Sequence, residues 1–376
     1  MTPLAHVAAR LIGALLLCLT VLLPAQAAPP DAATLQRQLD TLLAQRVAAD
    51  GPGVVLLVAR GERLLYRSAR GMASIELAVP LAPEHAMRIG SVTKQFAAAA
   101  LLQLVDAGRA RLDDPLSKHL PDYPNASAIT LAQLLNHSSG VKSYTGIPGY
   151  MRSGVRHDLS TTELVQVFSG LPVAFAPGRG WAYNNSGYVL VGAVIEAITG
   201  RPWHQQVAGM LQPLGITRTR YDDPDTVIPG LATGYGHRGN GVARAALVSM
   251  TQPHAAGALV STAGDLWRWN LALHRGAVLS PESYRRMSTP EGEVAQKEGY
   301  GYGLRMETLH GQPFVQHGGG IQGYKAMLGW LPREQLTVVV LHNSDSARLH
   351  AGSLGRDAAA LALGEAVPER PAPSGP

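Results

Sequence analysis

Residues 91–108, "SVTKQFAAAALLQLVDAG", form the strongest helix signal in the chain, because alanine and leucine dominate the run and Gly108 closes it. Ser91 and Lys94 fall in its first turn. Residues three apart share a helix face, with Cβ atoms about 5–6 Å apart. A helix start also offers unpaired N–H groups and a positive dipole end, which favour a developing alkoxide or oxyanion. The stretch predicts a nucleophilic serine and a lysine that handles its proton.

Two alternatives compete with that interpretation. Ser139 and Lys142 have the same spacing, but Gly140 lies between them and "SYTGIPG" follows, which is typical of a loop. This second pair is interpreted as chance. For the first pair, the alternative is a capping serine followed by a solvated lysine.

Two further motifs contain candidate catalytic or substrate-binding residues. Tyr183 and Asn185 precede or begin a predicted helix at 184–200. A tyrosine beside an ammonium can act as a phenolate base, and an asparagine can orient an amide or the lysine. The run His317–Gly320 contains three glycines, which let the backbone approach a ligand closely. The plainer interpretations are a buried tyrosine with a helix cap, and a flexible approach to a hairpin.

Several function classes find little support. His-Gly-Gly-Gly can form an α/β-hydrolase oxyanion hole, but the G-x-S-x-G elbow is absent from the sequence. The thirteen histidines are scattered without an H-E-x-x-H motif, so no metal site is predicted. The balance of 32 basic and 27 acidic residues includes no dense basic run, so no nucleic-acid partner is predicted.

Residues 1–27 resemble a secretory signal. Arg10 precedes an apolar run too short for a comfortable membrane span, and Ala25-Gln26-Ala27 fits a cleavage site. We therefore expect a secreted or periplasmic protein without a stable membrane span after cleavage; a retained anchor is the alternative. The only cysteine, Cys18, would leave with the signal, so no disulfide is expected.

Apolar runs near both chain ends predict the fold. Two predicted hairpins and two terminal helices suggest one antiparallel sheet built from both ends, flanked by helices, with a mostly helical domain inserted. This is an α/β sandwich. The predicted strands are 54–59, 63–68, 325–331 and 336–342, and the terminal helices are 31–50 and 349–363. The predicted parts are sheet at about 31–80 and 275–364, helical insertion at about 81–274, and a disordered tail at 365–376.

The motif order S-x-x-K, Y-x-N and H-x-G, beginning at residues 91, 183 and 317, resembles the serine β-lactamase-like family. The likeness is greatest to the branch of class C β-lactamases, D-alanyl-D-alanine carboxypeptidases, D-aminopeptidases and related esterases. Connecting segments look similar as well: "LDDPLSKHLPDYP" (112–124), "TLAQLLNHSSGV" (130–141), "PGRGWAYNNSGYVLVGAVIEAITG" (177–200), "STAGDLWRW" (261–269) and "GYGYGLRM" (299–306). The resemblance implies a β-lactamase/transpeptidase-like fold, with the site in the groove between sheet and helices.

The resemblance also implies roles. Ser91 would attack a carbonyl and form an acyl-enzyme, while Lys94 and Tyr183 move its proton and later activate water. Asn185 would orient substrate and lysine. The N–H groups of Ser91 and Gly320 would hold the oxyanion. His317 and Gly319 would complete the substrate-binding edge, and no metal or cofactor is implied.

One departure concerns carboxylate recognition. The lactamase branch usually has Lys-Thr-Gly or Lys-Ser-Gly at the third motif, whereas this chain has His317, Gly318 and Gly319. A hydrogen bond to a charged group contributes about 1.5–3 kcal/mol, so the missing lysine and hydroxyl should weaken binding of β-lactams or a D-alanine terminus. A protonated His317 is the alternative anchor.

Three functions remain open from the sequence. The favoured one is an exported serine hydrolase acting on D-amino-acid-containing peptides or on esters. The alternatives are a class C-like β-lactamase and a non-catalytic penicillin-binding or sensor module on the same fold. The expected partner is a small-molecule or peptide substrate, with cell-wall peptide among the candidates.

Overall fold

The structure is a computed structural model that describes residues 29–239 and 241–367. The predicted signal at 1–27 and most of the predicted tail at 365–376 lie outside the described residues. The described strands are β1 (Val54–Arg60), β2 (Arg63–Arg70), β3 (Met72–Ser74), β4 (Val79–Pro80), β5 (Met87–Arg88), β6 (Arg220–Tyr221), β7 (Tyr235–Arg238), β8 (Gly241–Arg244), β9 (Leu259–Ser261), β10 (Arg305–Leu309), β11 (Gln312–Ile321), β12 (Tyr324–Leu331) and β13 (Leu336–His342).

Helices occupy most of the interval between the two groups of long strands. The described α-helices are α1 (Ala32–Arg46), α2 (Thr93–Asp106), α3 (Leu131–Leu135), α4 (Thr161–Ser169), α5 (Asn185–Thr199), α6 (Trp203–Leu211), α7 (His254–Gly257), α8 (Ala263–His274), α9 (Pro281–Ser288), α10 (Glu293–Glu298) and α11 (Ala351–Leu363). The shortest of these, α7, becomes important below because it touches the candidate site.

The main sheet has six strands in the order β10-β11-β12-β13-β1-β2. Every pairing is antiparallel. The join between the chain ends is the β1–β13 pair, which runs from Val54 opposite His342 to Arg60 opposite Leu336. The expected sheet built from both chain ends is therefore confirmed.

Strand β1 shows why the sheet needs helices on both faces. Its residues from Val54 to Ala59 are fully buried, so the run is continuously apolar rather than alternating. Val54, Leu56 and Val58 belong to the apolar cluster that contains α1 and α11. The alternate residues face the larger cluster that contains α2 and α5. The sheet is thus a layer between the terminal helices and the helical part.

The structure differs from the sequence expectations in three places. Helix α2 begins at Thr93, and Ser91 lies in a separate 3-10 turn, Gly90–Val92. The run 317–320 is not a flexible approach but part of β11, paired with β12 throughout. Strands β3 to β11 were not predicted; β10, for example, is mostly half-buried and lacks the apolar content of β12 and β13. The approximate domain bounds stay a prediction.

Across residues 29–239 and 241–367, no helix is both long and apolar enough to cross a membrane.

Candidate active site

Ser91 and Lys94 meet at the start of α2. The 3-10 turn holds the half-buried Ser91, and the buried Lys94 follows on the first turn of the helix. The lysine Nζ lies 3.2 Å from the Ser91 Oγ. The alternative of a solvated lysine is wrong, because the Lys94 side chain is fully buried.

Three acceptors surround the Lys94 Nζ. Besides Ser91, it donates to the Asn185 Oδ1 at 2.8 Å and to the Ala256 carbonyl at 2.9 Å. The three acceptors match the three donors of an ammonium. None of the three acceptors is a carboxylate. Burial lowers the pKa of Lys94 well below its ordinary value of 10.5. The lysine is therefore placed to exchange a proton with Ser91.

Tyr183 lies beside this pair. The Lys94 Nζ sits 4.8 Å from the centre of the Tyr183 ring. Among the described residues, no partner satisfies hydrogen-bond geometry at the buried Tyr183 hydroxyl. Burial raises the pKa of Tyr183, and the nearby Ser91 hydroxyl only partly opposes that rise. Burial outweighs the neighbouring groups and favours the neutral phenol next to the serine, and the role of Tyr183 as an acid–base group stays a prediction.

The start of α5 fixes Tyr183 and Asn185. Asn184 is the helix cap, and its Oδ1 accepts from the Gly187 N–H at 2.9 Å. The Asn184 N–H donates to the Nδ1 of the buried His137 at 3.2 Å. The next residue then presents the Asn185 Oδ1 to Lys94, while its Nδ2 donates to the Thr145 Oγ1 at 3.3 Å.

The glycine run of β11 forms the opposite wall. Strand β10 pairs with β11 only as far as Gln316, so the edge at 317–321 extends beyond β10. A Cβ on Gly319 would lie 1.9 Å from the Ile89 carbonyl oxygen and 3.3 Å from the Ser91 nitrogen. A Cβ on Gly90, whose φ is +50°, would lie 2.8 Å from the Gly320 nitrogen. The backbone segments that carry Ser91 and Gly320 are therefore in close contact, which fits the predicted oxyanion hole.

The close approach at Gly319 gives a matched pair of variants. Gly319→Ala should force β11 away from Ile89 and misalign the oxyanion donors, lowering kcat by about 10²–10³, the usual effect of losing one such donor. Gly320→Ala adds the same methyl where no atom lies within 4 Å. We expect Gly320→Ala to keep most of its activity. The measurement is steady-state kinetics on both variants. An equal fall in kcat for the two would contradict the steric explanation.

His317 is neutral and fully engaged. Its Nδ1 lies 2.6 Å from the Gly318 carbonyl, which can only accept, so Nδ1 carries the proton. Its Nε2 then accepts from the Tyr300 hydroxyl at 2.8 Å. Burial, followed by the charge of Lys94, lowers the pKa of His317 to about 3. The alternative of a protonated His317 as carboxylate anchor is therefore wrong at neutral pH.

Four site residues escaped the motif analysis. The Arg305 guanidinium lies 5.4 Å from the ring centre of Tyr300 and 5.8 Å from that of Trp181. The His137 ring packs 4.5 Å from the Tyr183 ring and 4.6 Å from the Tyr300 ring. Their signals were present, since His137, Trp181, Tyr300 and Arg305 all lie in the family-like connecting segments. No spacing rule joins them, because they meet only in the folded chain.

The second serine–lysine pair does not form a site. Ser139 is buried and accepts from the Val141 N–H at 3.4 Å, whereas the Lys142 side chain is exposed. The interpretation of this spacing as chance agrees with that geometry. Within the described ranges, no group of three or more histidine, cysteine, aspartate or glutamate side chains is placed to hold a metal ion.

Comparison with known families identifies the class. The family model described as Beta-lactamase matches residues 39–362. The chain therefore belongs to the beta-lactamase family, a class of serine hydrolases, and the resemblance and fold class predicted from the motifs are confirmed.

Individual relatives show the range of that family. The chain is 26% identical over 305 residues to a D-aminopeptidase of Gluconobacter oxydans, covering 79% of this chain and 57% of that protein. It is 36% identical over 203 residues to Esterase EstB of Burkholderia gladioli, covering 50% of this chain and 51% of that one. The matches thus span between half and three fifths of these two curated relatives.

A solved structure matches over a greater share of its own length. The crystal structure of a D-stereospecific amidohydrolase from Streptomyces sp. superimposes with a TM-score of 0.72 at 30% identity. The match covers 84% of this chain and 95% of that one. The likeness therefore extends over most of the chain.

Proposed function

We propose that this protein is an exported serine hydrolase that forms an acyl-enzyme on Ser91 and acts on D-amino-acid-containing amides and peptides or on esters. The contact that carries the proposal is the buried Lys94 Nζ, 3.2 Å from the Ser91 Oγ and 2.8 Å from the Asn185 Oδ1. A serine hydroxyl in contact with a buried amine that can accept its proton is an activated nucleophile.

Acylation follows from the protonation states. Because burial lowers the pKa of Lys94, its neutral amine is accessible and takes the Ser91 proton as the oxygen attacks the carbonyl. The oxyanion that forms accepts from the Ser91 and Gly320 N–H groups. The neutral Tyr183 hydroxyl then passes its proton to the leaving amine or alcohol, and Lys94 returns to Tyr183 the proton that it took from Ser91.

Deacylation uses the same groups in reverse. Water takes the place of the leaving group, and Lys94 with Tyr183 removes its proton as it attacks the ester. Asn185 holds the Lys94 Nζ throughout, because its amide is fixed by Thr145 on its other side. The carboxylic acid product leaves and Ser91 regains its proton.

Tyr183→Phe tests the proton relay. The variant keeps the ring packing against His137 and deletes only the hydroxyl, so kcat should fall by about 10²–10⁴, the range for a general acid–base group. Thermal stability should be unchanged, since this buried hydroxyl satisfies no hydrogen bond within the described chain. Kinetics and a thermal melt on the same preparation separate the two effects. Near-wild-type turnover with chemistry rate-limiting would assign the relay to another group.

The substrate class is supported by the relatives' names. They are a D-aminopeptidase, a D-stereospecific amidohydrolase and an esterase. A panel of a D-phenylalanine amide, its L enantiomer, a p-nitrophenyl acyl ester and nitrocefin tests the proposal, with Ser91→Ala as the blank. A preference for the L amide, with no ester turnover, would contradict it.

The third motif predicts an order within that panel. The absence of lysine and hydroxyl at 317–318 disfavours carboxylate-bearing substrates, so kcat/KM should be higher on the acyl ester than on nitrocefin. Gly318→Thr should raise nitrocefin turnover by about 10- to 150-fold, the equivalent of 1.5–3 kcal/mol. A side chain at 318 finds room, because the nearest atom to its Cβ is the Ala326 oxygen at 3.8 Å. Ester turnover of the same variant is the control.

One observation favours a β-lactamase as the second candidate. The Arg305 guanidinium lies over the ring of Tyr300, which is hydrogen-bonded to His317. After burial and the charge of Lys94, the charge of Arg305 also lowers the pKa of that histidine. Arg305 places a positive charge where the sequence predicted none. Nitrocefin turnover that outpaces the ester would make this candidate the better one and Arg305 its carboxylate-binding group.

Export and partners rest on the sequence. The signal-like residues 1–27 support delivery to the periplasm or beyond, and a small-molecule or peptide substrate, with cell-wall peptide among the candidates, is the proposed partner. N-terminal sequencing of the mature protein from a native host tests the export step.

A further inference from the structure

A second pocket lies at the far end of α5. It has a volume of about 640 Å³ and is bounded by the last turn of α5, the start of α6, strand β6 and the start of α7. Glu196, Trp203, His204, Tyr221 and His254 line it. Eleven residues of helix separate Asn185 in the active site from Glu196, which is about 16 Å of helical rise. The pocket is therefore distinct from the catalytic groove.

Its polar anchor is the carboxylate of Glu196. The side chain is 24% exposed, and its Oε1 accepts from the Trp203 N–H at 3.2 Å and lies 3.7 Å from the His254 Nε2. Burial acts to raise the pKa of Glu196, but hydrogen bonding and charge from His254 outweigh it, and the pKa lies below its ordinary value of 4.5. The Glu196 carboxylate is therefore ionised at neutral pH.

The walls suit an organic cation. The His204 ring stacks on the Tyr221 ring with centres 4.5 Å apart, and the Trp203 ring meets Tyr221 edge-on at 6.1 Å. Carboxylates of Asp223 and Asp158 also act on the Tyr221 phenol and, after burial, raise its pKa. Aromatic faces next to carboxylates attract ammonium groups. Arg201 is the one guanidinium among the lining residues, and its side chain is exposed at the rim.

A short segment connects the pocket to the catalytic lysine. His254 adopts φ +46°, a strained conformation for a non-glycine residue, at the start of α7. Two residues later, the Ala256 carbonyl accepts from the Lys94 Nζ at 2.9 Å. Leu259, at the other end of the segment, donates to the Thr93 Oγ1 at 3.2 Å and accepts from the Ile89 N–H at 3.0 Å. Residues 254–259 thus contact the pocket at one end and the nucleophile's turn at the other.

From these contacts we infer that the pocket is a second binding site for a small organic cation, an alkyl- or arylalkyl-ammonium, and that its occupancy alters the Ser91–Lys94 pair through residues 254–259. Glu196 binds the ammonium, and the rings of Tyr221 and His204 contact its apolar part. The linkage requires only that the ligand shift His254, because the Ala256 carbonyl is a direct partner of Lys94.

Calorimetric titration with 2-phenylethylammonium tests the site, using 2-phenylethanol as the neutral analogue of the same shape. The Ser91→Ala protein serves alongside the wild type, so binding is measured without turnover and independently of the proposed function. We expect the cation to bind more tightly than the alcohol, and Glu196→Gln to lower its affinity by about tenfold or more, as the loss of a charged partner implies. Glu62→Gln, an exposed glutamate on the β1–β2 turn, is the matched control and should change nothing.

Hydrogen exchange of the peptide 87–96 tests the linkage. Saturating 2-phenylethylammonium should change its exchange rate by about fivefold or more, the lower end of usual coupling between sites, in the wild type but not in Glu196→Gln. Equal cation affinity in Glu196→Gln and wild type would overturn the site. Tight, Glu196-dependent binding with unchanged exchange at 87–96 would overturn the linkage.

Discussion

Ser91→Ala is expected to abolish turnover and covalent labelling together. Removing the nucleophile of a serine enzyme lowers kcat by a factor on the order of 10⁶, because only the oxyanion donors and substrate binding remain. A fluorophosphonate should add one group to the wild type, and mass spectrometry should locate it on the peptide containing residues 88–94. The Ser91→Ala protein should carry none.

The chain supplies its own control for this experiment. Ser139 is followed by a lysine at the same spacing, but that lysine, Lys142, is exposed. Ser139→Ala should label at the wild-type rate. Labelling that persists in Ser91→Ala, or an adduct at Ser139, would contradict the assignment of Ser91 as the nucleophile.

Lys94→Ala is expected to lower kcat/KM by at least about 10²–10⁴ and to change the pH profile. In the wild type, Lys94 must be neutral to accept the serine proton, so kcat/KM should rise with pH as the lysine deprotonates. Burial lowers its pKa, so this rise should lie well below the ordinary lysine value of 10.5. The variant should lose that limb of the profile, because the titrating group is gone.

Lys142→Ala is the matched control for Lys94→Ala. Lys142 is exposed, so its removal should change neither the value of kcat/KM nor its rise with pH. A limb that survives in Lys94→Ala would mean that another base activates Ser91. Direct titration by ¹⁵N-resolved NMR of the lysine amine gives an independent reading, with Lys142 as the exposed reference.

The motifs predicted much of the site because the reacting residues of each motif are close together in the sequence. Ser91 and Lys94 share one helical start, and Asn185 follows the cap of another helix, so propensity and spacing reveal them. The glycine run at 317–320 signalled close backbone approach, and Gly319 does lie against Ile89. The central strands of the sheet were also predictable, because runs such as β1 are continuously apolar.

Other features depend on tertiary contacts that no spacing encodes. The low pKa of His317 follows from burial and then from the charge of Lys94, and the burial is not visible in the motif. Arg305 belongs to a half-buried strand with no strong pattern, and it reaches the site only because β10 pairs with β11. The protonation of Tyr183 likewise depends on how completely the groove excludes water.

The pairing of β1 with β13 has a consequence for how the chain folds. These neighbouring strands are roughly 280 residues apart in sequence, and closing a flexible loop of that length costs about 5 kcal/mol in chain entropy. Contacts so distant also slow folding, because the entropy is lost before the sheet is gained. The ribosome makes β1 roughly 280 residues before its partner β13. Until then a continuously apolar strand has an open edge, which is a template for aggregation. Strand β2 covers one edge of β1 at once, but the other edge waits for β13, and the yield of folded protein depends on keeping that edge from pairing with other chains in the meantime.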